Sequence, residues 1–318
     1  MYRVGIDLGG TNIVAGVVND RHEIVAFAKC KTACPRPSEE IVADMARMTR
    51  EAVKKAGITM DEVKGVGVGS PGVCNKDTGV VERAANLGFE NLPICAMLSE
   101  MLGKKVYIEN DANAAALGEF IAGAAKDVES CVCITLGTGV GGGVIIDGKV
   151  FAGSNFAGTE LGHTVIVVDG EPCSCGRRGC WEAYASATGL IRQTRRAMEE
   201  HRDSKMWNIA GSLDKVDGRT PFEAMRAGDA AGKAVVDRYI YYIAVGLINM
   251  INIFQPEVIC IGGGVSAQGE TLLGPIREYV DREEYARNGK KRTVIKAAEL
   301  KNDAGVLGAA SLGEQQLV

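Results

Sequence analysis

Apolar residues gather in short runs that end on glycine. VGIDLGG (4–10) reads as a buried strand entering a glycine turn; IVAGVV (13–18) and EIVAFAK (23–29) follow as its hairpin partner and a third strand. The period then changes. In SEEIVADMARMTREAVKKAG (38–57), Ile41, Val42, Met45, Ala52 and Val53 fall at helical spacing. Ser38 offers a cap, two acids stand in the first turn and Gly57 closes the helix. VKGVGVGSPG (63–72) is again a strand into glycine, and KKVYIENDANAAALGEF (104–120) predicts a short strand and an Ala-rich helix from about Asp111. SCVCITLGTGVGGGVIIDG (130–148) predicts strand, glycine turn, strand. A long helix over 229–256 stops at Pro256. VICIGGGVS (258–266) and TVIKAAEL (293–300) are strands, and DAGVLGAASLG (303–313) is a terminal helix. The polar, aperiodic stretch 203–220 reads as a surface loop. Strands alternating with helices predict an α/β fold with a partly parallel sheet.

Part of the pattern repeats. Laying 4–18 over 132–146 aligns Val4, Ile6, Leu8 and Gly9 with Val132, Ile134, Leu136 and Gly137. VGVGSPGV (66–73) finds its partner in ICIGGGVS (259–266). Two similar lobes, each offering a glycine turn, would leave a cleft between them.

Composition adds limits. The 318 residues are 46% hydrophobic and 24% charged, as in an ordinary globular chain. A net charge of −4 gives no general attraction to nucleic acid or to an anionic membrane. No apolar run is expected to approach the roughly 20 residues that span a bilayer. MYRVGIDLGG lacks the layout of a signal peptide, so the expected compartment is the reducing cytoplasm.

The glycine turns suggest chemistry. Successive backbone N–H groups at such a turn form a concavity suited to phosphate. The candidates are Gly9 and Gly10 with Thr11 and Asn12, Thr138 and Gly139, and Gly262, Gly263 and Gly264. Asp7 beside the first turn can hold Mg²⁺ through water. Neither G-x-G-x-x-G nor a P-loop occurs in a strand-to-helix context. Asp111 admits two readings, a helix cap or a general base. HTVIVVDGEPCSCGRRGCWE (163–182) brings His163, Cys173, Cys175 and Cys180 into one short stretch. One imidazole and three thiols suit a closed zinc site. A Cys173–Cys175 disulfide would close a strained ring in a reducing compartment, and the redox spacing C-x-x-C is absent.

Taken together, DLGGTNI, GSPG, ENDANAAALGE, TLGTGVGGG, GTELGH, CSCGRRGCWE and IGGGVS resemble, in content and order, the ROK family of sugar kinases and repressors. The likeness runs from residue 4 to about residue 313 and is strongest to the bacterial glucokinases. It implies two actin-like (ribonuclease H-like) ATPase domains flanking a cleft. These would be a smaller domain over 1–122, completed by a C-terminal helix over 303–318, and a larger one over 123–302. It implies that ATP with Mg²⁺ phosphorylates glucose at the 6-hydroxyl, with Asp111 as the base. Another hexose or an N-acetylhexosamine is the alternative substrate. A sugar-sensing protein without catalysis is the rival class; the repressors' helix-turn-helix finds no room before residue 3. The resemblance assigns sugar contacts to Gly72, Asn86, Asn110, Asp111, Glu160, His163 and Glu182, and it implies one structural Zn²⁺ and a homodimer. Relatives often carry Trp at Phe89 and Lys at Asn12. Phe89 cannot donate an N–H, and Asn12 leaves the phosphate grip to backbone N–H groups and Thr11.

Overall fold

A computed structural model describes residues 1–315. Residues 316–318 of the expected C-terminal helix lie outside the described part. The chain forms two compact units. The first holds residues 1–133, 142–159 and 298 onward; the second holds 134–141 and 160–297.

In the first unit β1 (Tyr2–Leu8), β2 (Asn12–Val18) and β3 (Ile24–Lys31) are followed by α1 (Ser38–Lys55) and β4 (Val63–Ser70). A small antiparallel sheet follows, made of β5 (Val73–Asn75), β6 (Val80–Ala84) and β7 (Phe89–Leu92). Then come α2 (Ile94–Leu102), β8 (Val106–Asn110) and α3 (Asp111–Ala122). The main sheet has the order β3-β2-β1-β4-β8, with β1 antiparallel to β2 and parallel to β4. One face is sealed by α1, whose Ile41, Met45 and Met48 join Ile6, Leu8 and Val68 in the core. Ser38 does not cap α1. Pro37 holds the N-cap position, and the Ser38 hydroxyl turns to Glu39.

The remaining elements are β9 (Cys131–Leu136), β10 (Val140–Ile146), β11 (Lys149–Val150), α4 (Glu182–Ala185), α5 (Ala187–Glu200), α6 (Met206–Ala210), α7 (Thr220–Arg226), α8 (Ala230–Phe254), β12 (Val258–Gly262), α9 (Glu270–Glu283), β13 (Val294–Ala297) and α10 (Ala304–Gln315). The second large sheet runs β11-β10-β9-β12-β13, an order that matches the first strand for strand. Here β9 and β10 take the places of β1 and β2, and β12 that of β4, as the internal repeat predicts.

The stretch 203–220 is not a plain loop. It carries α6 and the start of α7, because Met206 and Val216 are buried with Met198 and Ala224 and anchor an otherwise polar segment. Run length also passes over α8, whose early turns are interrupted by Lys233, Asp237 and Arg238. By length and composition α8 could cross a membrane, and 61% of its most apolar window is buried inside the protein. It packs on α7 and α9.

In the first unit α10 lies on the sheet face opposite α1. A Cβ on Gly5 would stand 1.9 Å from the Val306 carbonyl oxygen, and one on Gly67 only 1.7 Å from that of Ala309. Both positions need glycine for the helix to sit this close. α10 also packs on α3, bringing its first turn beside Asp7 at the end of β1.

Candidate active site

The first glycine turn is held from the side. The Gly9 N–H donates to the Asn12 carbonyl at 2.9 Å. Thr32, fully buried just past β3, donates its hydroxyl to the Gly9 carbonyl at 2.6 Å and its N–H to the Thr11 carbonyl at 2.9 Å. These bonds fix the turn before any ligand arrives. Asn86 stands next to it: a Cβ on Gly10 would be 3.5 Å from its Nδ2. Sequence reasoning missed Thr32, since a threonine at a strand end carries no local signal.

Asp7 is pushed up to about 6 by burial first and then by the charge of Asp111. Two carboxylates therefore face one neighbourhood and repel each other, a setting that favours a bound cation. Such a place fits Mg²⁺ chemically, with Asp7 as its holder.

Asp111 opens α3 but does not cap it. Asn110 takes the N-cap, its Oδ1 accepting from the Ala112 N–H at 2.9 Å and the Asn113 N–H at 3.3 Å. Its Nδ2 donates to the Gly72 carbonyl at 3.1 Å, joining two of the expected sugar-site residues. Capping thus does not account for Asp111, whose own Oδ1 accepts from Ala112 N–H at 2.9 Å. Glu109 is buried and pushed up mainly by that burial; it accepts from Asn113 Nδ2 at 3.0 Å and holds the turn together. Thr159 donates to Asn113 Oδ1 at 3.0 Å, so both ends of that amide are used. Glu119 accepts from the N–H groups of Ala124, Glu299 and Leu300, a structural role. Phe89 is buried in the core.

In the second unit Gly137, Thr138 and Gly139 form a turn closed by a Gly137 N–H to Gly139 carbonyl bond of 3.0 Å. The Ala187 N–H donates to the Gly137 carbonyl at 2.8 Å, and the Thr188 hydroxyl to that of Thr138 at 2.8 Å. Glu182 Oε2 accepts from the Val140 N–H at 3.1 Å and would meet a Cβ on Gly139 at 2.4 Å. Its Oε1 accepts from the Ser174 hydroxyl at 2.9 Å. Glu182 thus ties the cysteine loop to the glycine turn, a link invisible in the sequence across 42 residues. The Gly262–Gly264 turn lies against the same place. Gly263 has φ +87°, and a Cβ there would stand 2.4 Å from the Leu136 carbonyl oxygen. Gly263 therefore packs on the end of β9, one residue before the Gly137–Gly139 turn.

The cysteine loop folds into a compact knuckle. Val165 pairs with Cys180 and Pro172 with Arg178, and the Trp181 N–H donates to the Thr164 carbonyl at 2.8 Å. One ligand atom each from His163, Cys173, Cys175 and Cys180 lies within 4.8 Å of the others. His163 Nδ1 is 3.6 Å from Cys173 Sγ, and Cys175 Sγ is 3.7 Å from Cys180 Sγ. Zn–S and Zn–N bonds of about 2.3 and 2.05 Å put tetrahedral edges at about 3.6–3.8 Å. The donor set therefore fits a zinc ion. All ten cysteines are free thiols. Arg177 is exposed and donates to the His163 carbonyl at 3.4 Å. Glu160 is exposed just before His163. A Cβ on Gly162 would stand 2.2 Å from the Val140 carbonyl oxygen, so the GTELGH segment rests on the glycine turn.

The sequence model of the ROK family matches residues 3–316. This chain belongs to the ROK family. It is 37% identical over 316 residues to a glucokinase of Thermotoga maritima, covering 99% of this chain and 98% of that one. It is also 37% identical over 319 residues to a glucokinase of Halalkalibacterium halodurans, covering 99% and 96%. Among solved structures, a ROK family glucokinase from Streptomyces griseus in complex with glucose and AMPPNP is similar at 34% identity, with a TM-score of 0.81 and coverage of 99% and 100%. The ROK motifs are thus spread over both units: DLGGTNI and ENDANAAALGE in the first, and CSCGRRGCWE and IGGGVS in the second.

Proposed function

We propose that this chain is an ATP-dependent kinase that phosphorylates glucose at its 6-hydroxyl in a single in-line transfer. The observation that carries the reading is Asp111, a carboxylate in the first turn of α3 that capping leaves unexplained and whose charge adds to burial in raising Asp7 beside the glycine turn. The 6-hydroxyl oxygen bonds to the γ-phosphorus while the bond from that phosphorus to the β–γ bridging oxygen breaks and ADP departs. The hydroxyl proton passes to the Asp111 carboxylate. The helix dipole holds Asp111 as an anion until late in the transfer. Asp7 would hold Mg²⁺ through water, and the metal would neutralise phosphate charge. Phosphate and nucleotide contacts are assigned to Gly9, Gly10, Thr11 and Asn12 in the first unit, and to Thr138, Gly139 and Gly262–Gly264 in the second. Sugar contacts are assigned to Gly72, Asn86 and Asn110 in the first unit, and to Glu160, His163 and Glu182 in the second. The active species is read as a cytoplasmic homodimer.

The test is a coupled ADP-release assay across a panel of hexoses. Glucose is expected to give a higher kcat/KM than N-acetylmannosamine, because the full-length likeness is to glucokinases. Turnover of N-acetylated sugars alone would sink the glucose assignment and leave the kinase assignment standing.

One structural zinc per chain is the second part of the reading. The metal would take no part in the chemistry; it would orient His163 and, through the loop, Glu182. Elemental analysis of freshly purified, chelator-free protein should find about one zinc per chain. Cys180→Ser should raise the sugar KM by about 10–100-fold and leave the ATP KM nearly unchanged, since orienting contacts around a metal carry effects of that size. Absence of zinc would end the metal assignment. Normal sugar binding by a zinc-containing Cys180→Ser variant would reduce the metal to a distant staple.

A further inference from the structure

β3 turns two lysines toward the first glycine turn. In the β2–β3 register Asn12 is opposite Lys31 and Val14 is opposite Lys29. Directly opposed residues of an antiparallel pair share a face, with Cβ atoms about 4.5–5.5 Å apart. Asp7 joins that face through its pairing with Val14. α10 covers the β1 part of the face, and beside it an open cavity of about 850 Å³ remains. Its lining runs from Asp7 and the Gly9–Asn12 turn past Lys29 and Lys31 to Asp303. Both lysines are exposed, and neither ammonium makes an ion pair or hydrogen bond among the described residues. The opposite face of β3 is spent on α1, where Ala28 joins the core.

The place of Lys31 is fixed by its neighbour. Thr32 makes the two hydrogen bonds that clasp Gly9 and Thr11. The backbone that carries the Lys31 ammonium is therefore pinned to the backbone that would cradle phosphate. A neutral sugar gains little from two uncompensated cations on a strip. A chain of phosphates matches a strip of positive charge that starts at a row of N–H donors.

We propose that Lys31 contacts the phosphate chain of the bound nucleoside triphosphate, and that Lys29 extends the same cationic strip. The inference rests on the kinase reading above. It supplies from β3 the cation that position 12, an asparagine, does not provide.

Calorimetric titration with Mg·ADP, alongside the coupled assay, tests it. Lys31→Ala should weaken ADP binding and raise the ATP KM by about ten-fold, the loss expected for one charge-assisted contact, with kcat and glucose KM changed by less than about three-fold. Lys31→Arg should keep ADP affinity within about three-fold of the parent protein. Adding Asn12→Lys to Lys31→Ala should restore most of the affinity, since the two positions face each other across the strand pair. An ADP affinity unchanged in Lys31→Ala, in a preparation whose parent protein phosphorylates sugar, would overturn the inference. So would a parallel rise in glucose KM, which would mark a structural role. A parent protein that neither binds Mg·ADP nor releases ADP would overturn the kinase reading, and this inference with it.

Discussion

Asp111→Asn is expected to lower kcat by at least ~10²-fold, the usual contribution of a positioned general base. Fold and sugar binding should persist. The helix cap belongs to Asn110, whose bonds to Ala112, Asn113 and Gly72 do not involve Asp111. An asparagine oxygen can also keep the 2.9 Å bond that Asp111 Oδ1 accepts from Ala112. What the substitution removes is the charge and the capacity to take a proton. The purified variant should melt within a few degrees of the parent protein and bind glucose with similar affinity. Near-normal turnover would remove Asp111 from the mechanism.

Asp7→Asn should separate stability from activity. The folded protein holds Asp7 at about 6, against an ordinary value of 3.8. The folded state therefore binds the Asp7 proton more tightly than the unfolded chain. By linkage this lowers stability as pH rises from about 4 to about 6, and the cost stays constant above that window. Asparagine has no such cost. The ligand-free variant should be more stable at pH 8 by up to about 3 kcal/mol, the full conversion of that shift. The gain should shrink as pH falls through the window. Activity should drop by at least ~10²-fold with loss of the metal-holding charge. Thermal melts from pH 4.5 to 8 decide the matter. A variant less stable at pH 8, or a gain that ignores pH, would contradict the electrostatic account of Asp7.

The elements most legible in the sequence are those whose period and punctuation agree. β1 and β2 show an apolar run, a glycine turn and a second run. α3 begins where Asn-Asp meets an Ala-rich stretch. The repeat of that grammar at β9 and β10 points to the duplicated topology. Elements held by distant partners are hidden. α6 is only five residues long, too short to show a helical period, and the burial of Met206 with Met198 and Val216 anchors it within a polar stretch. The β5–β7 sheet is built from strands of three to five residues, too short to show a period. Ser38 has the right chemistry for a cap but yields the position to Pro37.

The site divides the same way. Glycines and cysteines mark their turns locally, so the glycine turns and the cysteine knuckle can be read from spacing. The groups that hold those loops act across the fold. Thr32 clasps Gly9 from 23 residues away, and Glu182 reaches Val140 across 42. Lys31 enters through strand register, which pairs it with Asn12. Such pairings follow from topology and leave no mark in any window of sequence.

Phosphorus NMR of the parent protein incubated with Mg·ATP and glucose decides whether the chain is a glucose kinase. The expected result is loss of the γ-phosphate signal, ADP in equal amount, and one phosphomonoester resonance coupled to the protons on carbon 6 of glucose. The same mixture with Asp111→Asn should stay essentially unchanged over that time. ATP that persists in the parent mixture, or is consumed with only inorganic phosphate appearing, would contradict the glucose kinase reading.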